Sequence, residues 1–220
     1  EPKCALWLHK VNGQTNLKIN KKKFIYLISP NKITKNFYKD LKFVLRTNKV
    51  SFFQMRLKKY SFNQRILIGK KILKICREKK VKFIINDDPI LAKKINADGC
   101  HLGQKDMNIT KAREIIGNKL IGITCHNSIK LAKVAINTNA NYLAFGAFYS
   151  TKTKKVKYKA SVNILNKVRK LTNIPIVAIG GINSCNYKNL LLNKANFLAI
   201  SGYIWNNKKY KPIKAIELLK

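Results

Sequence analysis

The stretch KFIINDDPILAKKINADGCHLGQKDM (82–107) contains the signals that decide the fold of this 220-residue chain. The run KFIIND (82–87) is almost continuously apolar, which is typical of a strand that is buried on both faces. Asp88 and Pro89 then form a typical helix start, with Asp88 as the cap and Pro89 in the first helical position. A second short strand, GCHLG (99–103), follows the helix. Strand, helix and strand in this order predict a βαβ unit with parallel strands.

The same alternation continues along the chain. Short strand-like runs are separated by segments with apolar residues at helical spacing, such as Ile68, Ile72 and Cys76. The predicted strands are FIYLIS (24–29), VSFFQMR (50–56), KFIIND (82–87), GCHLG (99–103), LIGITCH (120–126), YLAFG (142–146), IPIVAIGG (174–181) and NFLAIS (196–201). Eight such units predict a single (β/α)8 TIM barrel over 24–220, with 1–23 as a short N-terminal extension. An open doubly wound sheet is the alternative, but no GxGxxG follows the first strand to mark its switch point.

The chain is strongly basic, with 46 Lys and Arg against 9 Asp and Glu and a formal net charge of +37. A basic surface is typical of proteins that bind nucleic acids. Here the lysines occur in nearly every predicted helix together with Asn and Ile, which favours a general compositional bias over a localised binding stripe. We therefore expect no specific nucleic-acid partner, while a basic nucleic-acid-binding protein stays open as an alternative.

The apolar runs and the cysteines indicate in which cellular compartment the protein works. No apolar run approaches the roughly 20 residues of a membrane-spanning helix, and the apolar segment at 4–7 is too short for a secretory signal. The five cysteines are scattered without a CxxC pair, which predicts reduced thiols in a cytoplasmic protein. We expect no membrane partner, and a homo-oligomer is one option that the sequence leaves open.

Polar residues and glycines follow seven successive predicted strands at their carboxyl ends. This is the end of a (β/α)8 barrel at which chemistry takes place. In chain order they are Gln54, Arg56 and Lys58; Asn86, Asp87 and Asp88; His101, Gly103 and Asp106; Thr124, Cys125 and His126; Ser150 to Lys154; Gly180 and Gly181; Ser201 and Gly202. Their convergence on one rim predicts an active site there.

Four of the five aspartates lie in the opening stretch, but they do not have the same role. Asp88 is assigned to the helix cap, and Asp98 to a turn at the amino end of the next strand. Asp87 and Asp106 lie past the carboxyl ends of adjacent strands, where two carboxylates suggest a hard cation such as Mg²⁺. The alternative is that each carboxylate forms a local salt bridge with one of the many lysines.

The rest of the rim is cationic and rich in small donors. Arg56 offers a planar fork for phosphate oxygens, while Lys58 and Lys154 act as point charges. The pairs 180–181 and 201–202 follow the last two strands, where barrels often bind phosphate through backbone N–H groups. The pattern predicts two anionic groups, one beside the metal and one across the mouth of the barrel.

With these residues in place, the chain resembles the thiamine-phosphate synthase family over about 24–204. The resemblance is carried by the ordered motifs QMRLK (54–58), IND (85–87), ADGCHLGQKDM (97–107), IGIT (121–124), GAFYSTKTK (146–154) and AIGGI (178–182). It implies a transferase in thiamine biosynthesis that joins 4-amino-5-hydroxymethyl-2-methylpyrimidine diphosphate to 4-methyl-5-(2-phosphoethyl)thiazole or its 2-carboxy form. The products would be thiamine phosphate and pyrophosphate. The diphosphate is expected to leave first, and the thiazole nitrogen then captures the resulting carbocation.

The resemblance also implies a role for each matched residue. Mg²⁺ would be held by Asp87 and Asp106. The pyrimidine diphosphate would be bound by Gln54, Arg56, Lys58, Asn86, Thr124 and Lys154, of which Arg56, Lys58, Thr124 and Lys154 are the candidate catalytic residues. The thiazole phosphate would be bound by Thr151, Thr153, Gly181, Ser201 and Gly202. A thiazole tautomerase-like barrel isomerase stays open as an alternative, although such an enzyme would not need a clamp for a diphosphate.

Overall fold

The predicted alternation of strands and helices is present in the structure, a computed structural model that describes residues 8–11, 14–17, 23–151 and 158–220. The strands are β1 (Leu8–Val11), β2 (Gln14–Leu17), β3 (Ile25–Ile28), β4 (Val50–Met55), β5 (Lys82–Asn86), β6 (Gly99–Leu102), β7 (Leu120–His126), β8 (Tyr142–Gly146), β9 (Ile176–Ile179) and β10 (Phe197–Ile200). Strands β3 to β10 are parallel, and β10 pairs with β3. The sheet is therefore closed, and the predicted (β/α)8 barrel is confirmed.

Helices connect the barrel strands. They are α1 (Phe37–Arg46), α2 (Phe62–Glu78), α3 (Pro89–Lys94), α4 (Ile109–Ile116), α5 (Ile129–Asn137), α6 (Asn163–Arg169), α7 (Tyr187–Leu192), α8 (Gly202–Trp205) and α9 (Pro212–Glu217). The predicted cap of α3 is confirmed, because Leu91 N donates to Asp88 Oδ1 over 2.9 Å. Within the described ranges, no helix is both long enough and apolar enough to cross a bilayer.

The N-terminal extension contains a small sheet of its own. Strands β1 and β2 pair antiparallel, with Leu8 opposite Leu17 and Val11 opposite Gln14. The sequence pattern does not predict this hairpin, because neither strand shows the continuous apolar run that marks the barrel strands.

Two apolar clusters separate the inside of the barrel from its helical shell. The inner cluster consists of alternate strand residues, Tyr26, Ile28, Phe52, Ile84, Leu120, Tyr142, Ala144, Val177, Phe197 and Ala199. Intervening residues such as Leu27 and Phe53 belong to a larger outer cluster that includes helix residues such as Leu41 and Ile72. Because successive side chains of a strand point to opposite faces, most barrel strands are apolar and buried on both faces, whereas β6 contributes no residue to the inner cluster.

The carboxyl ends of the strands differ slightly from the predicted bounds. Strand β5 ends at Asn86 because Asp87 has a φ of +63°, a left-handed conformation that Asp tolerates better than most residues. Strand β9 ends at Ile179 because Gly180 and Gly181 have φ values of +108° and +63°. These turns direct the chain out of the sheet at the rim where the polar residues cluster.

At the amino ends of the strands, one polar contact occurs three times. An Ala followed by Asp or Asn precedes β6, β8 and β10, and the Asp or Asn side chain accepts the N–H group of a residue at the start of the neighbouring strand. The contacts are Phe83 N to Asp98 Oδ2, Ile121 N to Asn141 Oδ1 and Ile176 N to Asn196 Oδ1, each over 2.8 Å. Asp98 therefore lies at the amino end, as predicted, and it also pairs with Lys82 over 3.0 Å.

We expect Asn196→Ala to lower the free energy of unfolding by about 1–3 kcal/mol, since it leaves two donors without their acceptor. These donors are the N–H group of the fully buried Ile176 and Nη2 of Arg169. Chemical denaturation measures the change. Asn206→Ala is the control, because Asn206 is exposed at the end of α8 and its loss should have little effect. Equal stabilities of the two variants would contradict the prediction.

Candidate active site

The carboxyl ends of the strands bring most of the predicted site residues to one rim. Gln54 lies in β4 and Asn86 ends β5, while Thr124 lies near the end of β7. Gly181 follows β9 after one residue, and Ser201 follows β10 directly. Thr151 is the last described residue before a gap, and the predicted residues Thr153 and Lys154 lie outside the described part of the chain.

The predicted carboxylates lie together at this rim. Asp87 N donates to the backbone oxygen of His101 over 2.8 Å, which fixes the left-handed turn after β5 against β6. Lys58 Nζ is 2.6 Å from Asp87 Oδ2. Asp106 Oδ2 accepts the N–H group of Gly103 over 2.7 Å. One of the two alternatives left open by the sequence, a salt bridge to a lysine, is therefore present for Asp87.

Lys58 reaches this cluster by a route that strand alternation does not predict. Strand β4 ends at Met55, and Lys58 lies in the turn that precedes α2 instead of on an extended continuation of the strand. Its ammonium group still faces the carboxylates because the turn carries it over the end of β5. Lys58 therefore lies at the rim, while the strand alternation that would place Gln54, Arg56 and Lys58 on one side of an extended chain does not continue past Met55.

The two carboxyl groups influence each other. Burial alone would raise the pKa of Asp87, but hydrogen bonds from Lys58 and Asp106 outweigh it and hold that pKa below its usual value. The pKa of Asp106 is raised by burial, against the Gly103 N–H group, and by the neighbouring Asp87 charge. Ionisation of both carboxyl groups would place two negative charges side by side, and a cation between them would stabilise that state.

The donor set fits a magnesium ion. In the described ranges, no group of three or more His, Cys, Asp or Glu side chains could enclose a metal. Asp87 and Asp106 would therefore supply only two oxygen ligands. Mg²⁺ is the cation that is commonly bound by one or two carboxylates and completes its octahedron with water and substrate phosphates.

Ser29 is a residue of this rim that the sequence pattern does not identify. It follows β3, is buried, and accepts the N–H group of Arg56 over 2.9 Å. Its backbone oxygen accepts from Ser201 Oγ over 3.1 Å. Ser29 thus links the end of β4, which carries the predicted diphosphate residues, to the end of β10. The available signal is the serine at the end of the run FIYLIS (24–29).

Two tyrosines that the sequence pattern also does not identify lie inside the barrel below the rim. Tyr26 and Tyr142 are buried, and their hydroxyl oxygens are 2.7 Å apart. Gly122 on β7 makes room for this pair, because a Cβ atom there would lie 1.9 Å from Cζ of Tyr142. A glycine inside the strand LIGITCH (120–126) was the available signal, since it often marks a close approach of another group.

His101 lies beside these tyrosines. Its Nδ1 is 3.1 Å from the Tyr142 hydroxyl, and its Nε2 is 2.9 Å from Thr124 Oγ1. Burial lowers the pKa of His101 to about 4, although the Asp87 charge acts in the opposite direction. His101 is therefore neutral near pH 7 and serves as a hydrogen-bonding group.

The segments that follow β8 and β9 approach each other closely. A Cβ atom on Gly181 would lie 2.3 Å from the backbone oxygen of Ser150, so only glycine lets the two segments approach so closely. Asn186 Nδ2 donates to the Gly181 carbonyl over 3.0 Å and fixes the turn. This contact sets Gly181 beside the segment that leads to Thr151.

A cavity of about 310 Å³ opens at the carboxylate side of the rim. Its polar lining includes Lys58, Arg65, Asn86 and Asp87. Arg65 donates to Asp88 Oδ2 over 2.9 Å and so connects α2 to the cap of α3. The cavity thus combines cations, an amide and a carboxylate next to the pair formed by Asp87 and Asp106, a combination that suits a phosphorylated ligand with a bound metal.

Comparison with known proteins gives a consistent result. A family model described as thiamine monophosphate synthase matches residues 25–204. A thiamine-phosphate synthase from Pelagibacter ubique is 70% identical over 204 residues, which cover 92% of this chain and 98% of that protein. A second protein of the same name, from Erythrobacter litoralis, is 37% identical over 196 residues, covering 87% of this chain and 92% of that protein.

Two solved structures resemble this chain in fold. Thiamine phosphate pyrophosphorylase from Pyrococcus furiosus has a TM-score of 0.80 at 28% identity, covering 90% of this chain and 94% of its own. Orotidine 5'-phosphate decarboxylase from Pyrococcus horikoshii has a TM-score of 0.63 at 13% identity, covering 88% of this chain and 96% of its own. The second likeness concerns the fold alone.

Proposed function

The chain belongs to the thiamine monophosphate synthase family, and we propose that its barrel rim is where a pyrimidine diphosphate is joined to a thiazole phosphate. The reaction yields thiamine phosphate and releases pyrophosphate. The substrates are 4-amino-5-hydroxymethyl-2-methylpyrimidine diphosphate and 4-methyl-5-(2-phosphoethyl)thiazole or its 2-carboxy form. The observation that carries the assignment of the site is the cluster of Lys58, Asp87 and Asp106 beside a polar cavity.

The diphosphate belongs at the carboxylate side of the rim. Asp87 and Asp106 would hold Mg²⁺, and the bound ion would neutralise charge on the departing diphosphate oxygens. Arg56, with its backbone fixed by Ser29, donates a planar pair of N–H groups to the same oxygens. Asn86 lines the adjacent cavity and adds an amide donor.

Lys58 has two partners in this scheme. It pairs with Asp87 in the structure, and its side chain is half-exposed, so it can turn towards a diphosphate while the proposed Mg²⁺ compensates the Asp87 charge. Lys154, which lies outside the described residues, is proposed to bind the same diphosphate. Lys58 and Lys154 would thus place positive charge next to the diphosphate oxygens on which negative charge develops. Preorganised sites speed ionisation in this way. No group that transfers a proton is required for that step.

The pyrimidine ring is proposed to lie between Gln54 and Thr124, above the buried tyrosines. The thiazole phosphate is proposed to bind across the mouth, at Gly181, Ser201 and Gly202. Thr151 and Thr153 would complete this second site. The close approach of Gly181 to Ser150 supports it, because the contact brings the turn after β9 next to the segment that leads to Thr151.

The alternatives are not favoured. A thiazole tautomerase-like isomerase has no need for paired carboxylates beside a lysine and an arginine, whereas this rim carries them. A nucleic-acid-binding protein is supported only by the net charge of +37. The lysines are spread over the whole chain, so this charge forms no defined binding stripe.

We expect the protein to release pyrophosphate only when the pyrimidine diphosphate, the thiazole phosphate and Mg²⁺ are all present, in an amount equal to the thiamine phosphate formed. An enzyme-coupled pyrophosphate assay and chromatography of the product measure both. The matched control omits the thiazole phosphate. Conversion of a thiazole isomer without pyrophosphate release would instead favour the isomerase.

We also propose that the enzyme works in the cytoplasm on small phosphorylated substrates. Cys76, Cys100 and Cys125 are buried free thiols, and Cys185 is an exposed one. Free thiols are typical of a reducing compartment. Cys4 lies outside the described residues.

A further inference from the structure

A continuous chain of hydrogen bonds crosses the barrel interior from Gln54 to Thr124, the two residues proposed to hold the pyrimidine ring. Gln54 Nε2 lies 3.0 Å from the Tyr26 hydroxyl, which lies 2.7 Å from the Tyr142 hydroxyl. Tyr142 is 3.1 Å from His101 Nδ1, and His101 Nε2 is 2.9 Å from Thr124 Oγ1. The three middle residues have no part in the function proposed above.

The hydrogens along this chain point in one direction. The amide nitrogen of Gln54 can only donate, so Tyr26 accepts from it, and every hydroxyl hydrogen then has an acceptor only if Tyr26 donates to Tyr142. Tyr142 then gives its own hydrogen to His101 Nδ1, which accepts. The ring hydrogen of His101 therefore lies on Nε2 and is donated to Thr124 Oγ1. Each of the three middle residues has one hydrogen to give, so the direction set at one end determines the other.

The two ends of the chain consequently offer opposite groups to a ligand. The hydroxyl hydrogen of Thr124 is not used within the chain and can be donated. Gln54 keeps its carbonyl oxygen Oε1 as an acceptor, and no donor in the described part of the protein reaches it. An aminopyrimidine has the matching groups, because its exocyclic amine donates and its ring nitrogens accept.

We propose that Tyr26, Tyr142 and His101 are positioning residues that fix which end of the pyrimidine site donates and which accepts, and so select a 4-aminopyrimidine over a 4-oxopyrimidine. This inference rests on the proposed function and deepens it. A 4-oxo group would meet Gln54 Oε1 acceptor to acceptor. Accommodating it requires the Gln54 amide to turn and every hydroxyl in the chain to reverse at once, which links the two ends cooperatively.

The test breaks the chain without altering either end. Tyr142→Phe keeps the ring but removes the hydroxyl that joins Tyr26 to His101. Calorimetry on the whole protein in magnesium buffer, without thiazole phosphate, gives dissociation constants for the pyrimidine diphosphate and its 4-oxo analogue. We expect the wild-type protein to bind the amino compound more tightly, and we expect Tyr142→Phe to reduce the ratio of the two constants by about tenfold.

A second variant and a control make the result specific. Tyr26→Phe breaks the chain one step earlier, and the double variant should show the same ratio as either single change, because one break already uncouples the ends. Tyr187→Phe is the matched control, since its hydroxyl donates to the Lys220 carbonyl outside the chain and its loss should leave the ratio unchanged.

The outcomes separate this inference from the proposed function. A purely structural role for the tyrosines would weaken both ligands equally, and a ratio that stays at the wild-type value in Tyr26→Phe and Tyr142→Phe overturns the inference. If the wild-type protein releases pyrophosphate from the two natural substrates in that case, the proposed function stands alone. Failure of the wild-type protein to release pyrophosphate contradicts the proposed function itself.

Discussion

Replacing Asp87 with Asn is expected to lower kcat/KM about 100- to 1,000-fold, the scale for loss of one preorganised charge-stabilising group. The Mg²⁺ concentration that gives half the maximal rate should rise, because one of the two proposed carboxylate ligands becomes a neutral amide. The substitution leaves the backbone undisturbed. Asp87 has a φ of +63°, and Asn occupies that left-handed region as readily as Asp does.

Asp98→Asn is the matched control for this variant. Asp98 also pairs with a lysine, at 3.0 Å from Lys82, but it lies at the amino end of the barrel, away from the rim. Its amide form can still accept the N–H group of Phe83, so activity should stay near the wild-type value. Steady-state kinetics across a Mg²⁺ titration compare the two variants. Near-normal turnover of Asp87→Asn with unaltered metal dependence would show that Asp87 holds no metal.

The barrel could be predicted from the sequence because its strands are short, apolar and regularly spaced. Runs such as FIYLIS (24–29) and YLAFG (142–146) are apolar on both faces, and only a parallel sheet covered by helices buries such strands. The hairpin of Leu8–Val11 and Gln14–Leu17 could not be predicted in this way. It is too short and too polar for the pattern that reveals the barrel.

Residues at the ends of strands could also be predicted, because a parallel barrel brings every carboxyl end to one rim. The pairing of Lys58 with Asp87 fits that rule only in part. The sequence shows that both lie near the rim, whereas the turn after Met55 decides that the lysine reaches the carboxylate. Turn geometry of this kind, here closed by the bond from Tyr60 N to the Leu57 oxygen, is not encoded in residue spacing.

Contacts across the barrel were beyond prediction for a different reason. Tyr26 and Tyr142 are 116 residues apart in sequence, and their hydroxyls meet only because strand register and barrel radius bring both rings to one level. An alternating pattern identifies inward-facing residues on one strand but not their partners on another. The hydrogen-bonded chain from Gln54 to Thr124 is therefore a property of the closed barrel.

Arg56→Ala is the second variant with a large expected effect. The loss of its planar donor pair should cost roughly 2–4 kcal/mol of transition-state stabilisation, the scale measured for one preorganised donor, which is about a 30- to 1,000-fold fall in kcat/KM. The backbone N–H group that Ser29 accepts is present in both residues, so the end of β4 keeps its position. Arg46→Ala is the control, because Arg46 is exposed at the end of α1.

Kinetics with each substrate varied in turn decide which anion Arg56 binds. If Arg56 holds the diphosphate, the apparent affinity for the pyrimidine diphosphate falls together with kcat, because the same N–H groups bind the substrate and stabilise the departing oxygens. Arg56→Lys should lie between wild type and alanine, since it keeps the charge but loses the fork. A change confined to the affinity for the thiazole phosphate would mean that the two anion sites are reversed, with the thiazole phosphate beside Asp87 and the diphosphate at the glycines after β9.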